Sequence, residues 1–84
     1  MNFTLNQLRI FLKVVETRSI TKASQELALS QPAVSIQLKN FQAQFDVPLT
    51  QLINRRLFIT AFGHEIATLA EKIISEVNEI NYQT

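Results

Sequence analysis

The sequence predicts a mainly α-helical fold in which three short helices form a core, a two-stranded hairpin follows, and a longer helix closes the chain. Three observations carry this. Apolar residues recur at helical spacing in successive stretches. A hydroxyl side chain able to cap stands ahead of each of these stretches. After Asp46-Val47-Pro48 the helical period gives way to two short runs of strand-favouring residues.

Thr4-Leu5-Asn6-Gln7 fits a capping box, with Thr4 as N-cap and Gln7 reaching back. Phe3 and Leu8 are placed for the accompanying hydrophobic staple. The first helix is expected to bury Leu8, Phe11, Leu12 and Val15 and to run to about Thr17. Arg18-Ser19 reads as a break. Thr21 is the expected cap of a second helix, roughly Lys22 to Ala28, with Ala23 and Leu27 inward.

Leu29-Ser30 turns the chain into its organising helix. Ser30 is the N-cap, and Pro32 falls in the first turn, where its missing N–H costs no internal hydrogen bond. Val34, Leu38, Phe41 and Phe45 then mark one buried face, so the helix is expected to reach about Phe45. The opposite face carries Pro32, Ser35, Ile36, Lys39, Asn40 and Ala43, an outer surface suited to a large polar partner. Two short helices joined by so brief a turn fit a helix-turn-helix, although any three-helix bundle has the same periods and caps.

Val47 is pushed out of the α region by Pro48. Strands are expected around Leu49–Ile53 and Leu57–Thr60, with Asn54-Arg55-Arg56 turning between them. The basic tip describes a wing, or else an ordinary solvated turn. Thr60 can cap a last helix from Ala61 to about Asn81, whose apolar residues are Ile66, Leu69, Ala70, Ile73, Val77 and Ile80. Ile66, Ile73 and Ile80 repeat every seven residues, which fits pairing with a second copy as well as packing back on the chain's own core.

At 84 residues, with 46% hydrophobic and 18% charged, the chain reads as one small globular domain. It has no cysteine, so disulfides and thiolate metal sites are excluded. No apolar run approaches the roughly 20 residues of a membrane span, so no membrane partner is expected and a cytoplasmic location is. Net charge is +1, but unevenly spread. Residues 1–59 hold seven basic side chains against three acidic ones, whereas residues 60–84 hold Lys72 against four glutamates. That asymmetry points to a polyanion-facing front and an acidic rear.

Catalytic chemistry is not expected. Gly63 is the single glycine, so a glycine-rich phosphate loop is excluded. His64 is the single histidine, with no cysteine and no carboxylate at ligand spacing on its helical face, so it reads as a surface or packing residue and no metal is expected. No serine has a histidine base at a recognisable spacing, and no carboxylate pair sits in a pocket-forming context. Neither an enzyme nor a cofactor is implied.

The run Leu8-Arg9-x-Phe11, Val15-Glu16, Ser19-Ile20-Thr21-x-Ala23, Leu27 and Ser30-Gln31-Pro32-Ala33-Val34-Ser35-x-Gln37-Leu38 resembles the amino-terminal domain of LysR-type transcriptional regulators. The likeness continues through Val47-Pro48-Leu49, Arg55, Leu57, Ile59-Thr60 and Gly63. It implies a winged helix-turn-helix over residues 1–60, with the motif at about 20–39 and the wing at about 49–60, then a linker and dimerisation helix over 61–84. It also implies a carboxy-terminal effector domain, outside these residues, through which a small-molecule inducer would act. On that ground the chain reads as a fragment, an engineered piece or a truncated gene product.

The function implied is sequence-specific binding of double-stranded DNA at an inverted-repeat operator, by a homodimer or, in full-length members, a tetramer. Carried over position by position, the DNA contacts fall on Gln31, Pro32, Ala33, Ser35, Ile36 and Gln37 of the reading helix, with Lys39 on its outer face. Thr21 in the second helix and Arg55 in the wing complete the set. Dimerisation falls on Ile66, Leu69, Ile73, Val77 and Ile80. Physical chemistry suits these roles: glutamine can pair with adenine, hydroxyls serve phosphates, and a wing arginine suits a phosphate or a narrow minor groove.

Several positions depart from the family pattern. Ile36 stands where arginine is frequent, removing a cation from the reading face. Phe41-Gln42 and Phe45-Asp46 replace the common Leu-Glu and Leu-Gly, and Thr50 and Leu52 stand where Phe and Arg are usual ahead of the wing. The competing reading is a protein-interaction module whose working part is the last helix.

Overall fold

In the computed structural model, which describes residues 2–83, the order of elements is α1 (Leu5–Thr17), α2 (Ile20–Leu27), α3 (Gln31–Gln42), β1 (Thr50–Ile53), β2 (Arg56–Ile59) and α4 (Ala61–Gln83). α1 is the hub, packing against α2, α3 and α4. Its capping box forms as expected: Gln7 N donates to Thr4 Oγ1 at 3.1 Å, and Thr4 N donates to Gln7 Oε1 at 3.2 Å.

The buried face of α1 differs from expectation. Leu8, Ile10, Phe11 and Val14 are buried, whereas Leu12 and Val15 are half-buried along the groove that α1 shares with α4. A helix with three helical neighbours needs a wide apolar arc. At about 100° per residue, positions 8, 10, 11, 12, 14 and 15 span roughly 200°, twice the stripe of an ordinary surface helix.

The break between α1 and α2 explains a second difference. Arg18 adopts the left-handed conformation (φ 53°), and its N–H donates to Val14 O at 2.7 Å. The Thr17 hydroxyl accepts from Ser19 N at 3.3 Å, holding Ser19 extended, and Ser19 Oγ accepts from Lys22 N at 3.1 Å. Ser19, and not Thr21, is therefore the cap, and α2 starts at Ile20. It ends at Leu27, where Ala28 turns left-handed and Leu29 N donates to Ser24 O at 2.9 Å. Lys13 ties the two helices, donating to Glu16 at 3.0 Å and Glu26 at 3.3 Å. The bond to Glu16 first, then that to Glu26, hold its ammonium above the ordinary lysine range.

α3 begins as expected, with Ser30 Oγ accepting from Ala33 N at 3.2 Å. It ends at Gln42, three residues short of the predicted Phe45. The last turn tightens there, Gln44 N and Phe45 N donating to Phe41 O and Gln42 O. Gln42 Oε1 also accepts from Thr50 N at 3.1 Å and Thr50 Oγ1 at 2.8 Å, anchoring the start of the wing. Phe45 still reaches the core, its ring 5.2 Å from that of Phe41 and 5.8 Å from that of Phe62.

β1 and β2 pair antiparallel with Leu52 opposite Leu57 and Ile53 opposite Arg56. Arg56 thus belongs to a strand, and the turn is Asn54-Arg55 alone. Both turn residues have positive φ (50° and 65°), the two-residue geometry whose twist matches the strands. For residues other than glycine this conformation costs roughly 1–2 kcal/mol.

Thr60 caps α4: its Oγ1 accepts from Gly63 N at 2.9 Å and donates to Pro48 O at 2.7 Å. The helix runs past the predicted Asn81 to Gln83, and Thr84 lies outside the described residues. Gly63 lets this helix touch the chain ahead of the wing. A Cβ there would collide with the Leu49 carbonyl oxygen, which already accepts from Thr60 N, and would lie 2.9 Å from Ile59 Cγ2. Gly63→Ala, ordinarily stabilising in a helix by about 1 kcal/mol, is expected to destabilise by about 1–3 kcal/mol through overpacking. Urea unfolding followed by circular dichroism checks the sign.

The core joins Leu8, Ile10, Phe11, Val14, Ala23, Val34, Leu38, Phe41 and Leu49 to Ala67 and Ala70 of α4. The last helix thus packs back on the chain's own core through one side only. Ala67 and Ala70 pack inward, while Leu69, Ile73 and Ile80 remain exposed. Among the described residues no helix is long and apolar enough to cross a membrane.

Candidate nucleic-acid interface

The inward period of α3 determines what faces out. With Val34, Leu38 and Phe41 buried, the exposed residues are Gln31, Pro32, Ser35, Ile36, Lys39 and Asn40. Ile36 is a bare aliphatic on this face, 57% exposed. The Ser30 cap and Pro32 fix the start of α3, so Gln31, Pro32 and Ser35 ride on a rigid first turn and not on a loop.

Two predicted residues of α3 are drawn inward. Ala33 is half-buried. Gln37 is half-buried too, and its Oε1 accepts from Gln7 Nε2 at 3.0 Å. Gln7 is itself held by the α1 capping box, so a chain of hydrogen bonds links the start of α1 to the middle of α3. Gln37 thereby ties α3 to the start of α1. Thr21 lies exposed in the first turn of α2, its carbonyl accepting from the Ser24 hydroxyl at 2.7 Å.

A shallow concave surface runs from Ser35 and Lys39 of α3 across Ala43 and Pro48 to Thr50 and Leu52 of β1, with Ile20 of α2 on its border. It brings the outward face of α3, the start of α2 and the wing onto one side of the molecule. Arg55 stands exposed at the wing tip. Arg55 shares a second concavity with Arg56, its neighbour in the basic tip, and with Arg18, neither of which is among the predicted DNA contacts. Their proximity depends on the α1–α2 break lying beside β2, a tertiary fact without a local signal. The left-handed backbone of Arg18 is equally invisible in a break that reads simply as Arg-Ser.

The predicted dimerisation residues lie on α4 and differ in exposure. Leu69 is 55%, Ile73 37% and Ile80 64% exposed, while Ile66 and Val77 are half-buried. Ile66, Leu69 and Ile73 border an apolar groove of about 160 Å³ whose other walls are Phe3, Leu8, Phe41, Phe45 and Ala70. His64 is exposed in the first turn of α4. Among the described residues no group of three or more His, Cys, Asp or Glu side chains is placed to hold a metal ion.

Comparison with known proteins agrees with this geometry. The family described as bacterial regulatory helix-turn-helix protein, lysR family, matches residues 5–64. A probable RuBisCO transcriptional regulator of Nostoc sp. is 43% identical over 77 residues, covering 92% of this chain and 23% of the relative. The HTH-type transcriptional activator CmpR of Synechocystis sp. is 35% identical over 79 residues, covering 94% of this chain and 26% of the relative. The chain spans about a quarter of the length of such relatives. Among solved structures, the BenM DNA-binding domain in complex with catB site 1 DNA superposes with a TM-score of 0.90 at 32% identity, covering 96% of this chain and 91% of that one. CbnR, a LysR family transcriptional regulator, superposes with a TM-score of 0.87 at 26% identity, covering 96% of this chain and 28% of that one.

Proposed function

We propose, from the premise that this chain belongs to the lysR family of bacterial regulatory helix-turn-helix proteins, that it binds double-stranded DNA sequence-specifically as a homodimer. The observation that carries this reading is the outward face of α3. It is a rigid, Ser30-capped surface of small and polar side chains, backed by core residues and flanked by a wing with an arginine at its tip. A helix of that section fits the B-DNA major groove, and a hairpin beside it reaches the neighbouring backbone or minor groove. Similarity to the BenM DNA-binding domain, solved in complex with catB site 1 DNA, supports DNA as the partner.

In this reading Gln31, Ser35 and Ile36 meet base edges, Pro32 and Ala33 pack close to the groove wall, and Gln37 both reads and orients. Thr21, Lys39 and Arg55 serve the backbone. Ile66, Leu69, Ile73, Val77 and Ile80 join α4 to a second copy, so that two α3 helices enter successive major grooves. A small-molecule inducer acts, in this reading, through a further domain of the longer protein.

Selection of bound duplexes from a random library tests the proposal. The expected product is an inverted repeat with half-sites one or more helical turns apart. No enrichment, with a dimer present in solution, would overturn it in favour of an interaction module centred on α4.

Ile36 gives a sharper prediction. An aliphatic side chain there packs on a thymine methyl and contributes no counterion release. Ile36→Arg is expected to raise affinity for all duplexes and to steepen the dependence of log K on log salt by about one unit for each protomer. Binding isotherms across a salt series check it, and an unchanged slope would contradict this role.

A further inference from the structure

We propose that Arg18, Arg55 and Arg56 together form a seat for one phosphodiester group of the bound duplex, with Arg18 contacting that phosphate directly from the α1–α2 break. The inference rests on the DNA-binding reading above and adds a contact from the α1–α2 break.

The three guanidinium-bearing residues line one concavity of about 330 Å³ together with Leu57 and Phe58 of β2. All three are exposed, and among the described residues none has a carboxylate within ion-pair distance. Lys13, by contrast, is paired twice. Three like charges sharing one hollow repel each other in the free protein. A bound anion removes that repulsion, and the guanidinium fork matches phosphate oxygens in geometry as well as in charge.

Backbone conformation is an independent observation. The described residues other than glycine with positive φ are Arg18, Ala28, Asn54 and Arg55, so two of the four belong to this cluster. Glycine suits both arginine positions better on backbone grounds. Arginine at positions 18 and 55 thus runs against local preference, and such strain concentrates where a side chain is needed. α2 begins two residues after Arg18, so the positive end of its dipole adds to the same field.

The lining of the hollow argues for backbone and against base edges. Besides the three arginines the hollow is lined by Leu57 and Phe58, which have no side-chain hydrogen-bonding groups with which to read a groove edge, whereas three cations suit a compact anion.

The test compares the unaltered protein with Arg18→Gly and Arg18→Lys by fluorescence anisotropy, using the selected operator and unrelated duplexes across a salt series. Glycine suits φ 53°, so Arg18→Gly is expected to leave thermal unfolding unchanged or raised. It should weaken binding to every duplex by a similar factor and reduce the salt slope by about one unit for each protomer. Arg18→Lys should retain the slope. Unchanged affinity and slope in Arg18→Gly, with the unaltered protein binding normally, overturn the phosphate seat alone. A loss confined to duplexes with A·T-rich flanks also overturns it, since that result marks minor-groove reading. Absence of duplex binding by the unaltered protein overturns the seat together with the DNA-binding reading.

Discussion

Phe41→Ala is expected to destabilise the fold by about 3–5 kcal/mol, the largest effect of any single truncation proposed for this chain. Phe41 is fully buried on the inner side of α3, and its ring meets three others. The centroids of Phe11 and Phe45 lie at 5.2 Å and that of Phe3 at 5.9 Å, all in tilted or edge-on arrangements. Such geometries add about 0.5–1.5 kcal/mol each beyond burial. Phe11 and Phe3 come from α1 and its entry, Phe45 from the turn after α3, and Phe45 passes the contact on to Phe62 in α4. Removing the Phe41 ring therefore empties the centre of a cluster that neighbouring backbone cannot refill.

For a domain of 84 residues total stability is of order 4–13 kcal/mol, so the variant stands at the edge of folding. Each kcal/mol lowers Tm by about 4–8 °C at this size, which sets the expected fall at roughly 12 °C or more. Urea and thermal unfolding measure it. Phe45→Ala, at a half-buried site, should cost distinctly less. A loss under about 1 kcal/mol for Phe41→Ala would show that the aromatic cluster is not what holds α3 to α1.

What could be read in advance follows from how local each cause is. The caps at Thr4 and Ser30 are decided within four residues, so both helix starts were legible. At α2, two hydroxyls competed for the cap. Ser19 won because the Thr17 hydroxyl and the left-handed Arg18 hold it extended, which no spacing rule contains. The period Val34, Leu38, Phe41, Phe45 correctly named four core-facing residues but overran the helix. Phe45 reaches the core from a tightened turn, while Gln42 is engaged by Thr50 of the wing. The outward face of α3 was legible for the same reason as its core: fixing one side of a helix fixes the other. The inward tie of Gln37 to Gln7 was not, since those residues are 30 apart in sequence. Arg18 beside the wing was not either, because a strand 38 or more residues later supplies its neighbours.

Charging the outer stripe of α4 is expected to separate dimerisation from folding. Leu69→Glu combined with Ile73→Glu changes two side chains that are already 55% and 37% exposed, so the protomer should keep its helical content. Ala67→Glu or Ala70→Glu would not be comparable, since both alanines are buried against the core. If the stripe joins two copies, the double variant becomes monomeric by sedimentation. Its operator affinity then loses the gain from linking two half-site contacts, roughly 10²- to 10⁴-fold for linked sites of this kind.

Four added carboxylates per dimer also repel DNA, so the sign of the charge has to be separated from the loss of pairing. Leu69→Lys with Ile73→Lys does this: it breaks the same apolar contact while adding cations. Specific affinity should fall in both variants, with non-specific binding falling in the first and rising in the second. A lysine variant that stays dimeric with full operator affinity would remove the stripe from the interface. A variant that becomes monomeric yet binds the inverted repeat undiminished would show that a single α3, with its wing, supplies the recognition.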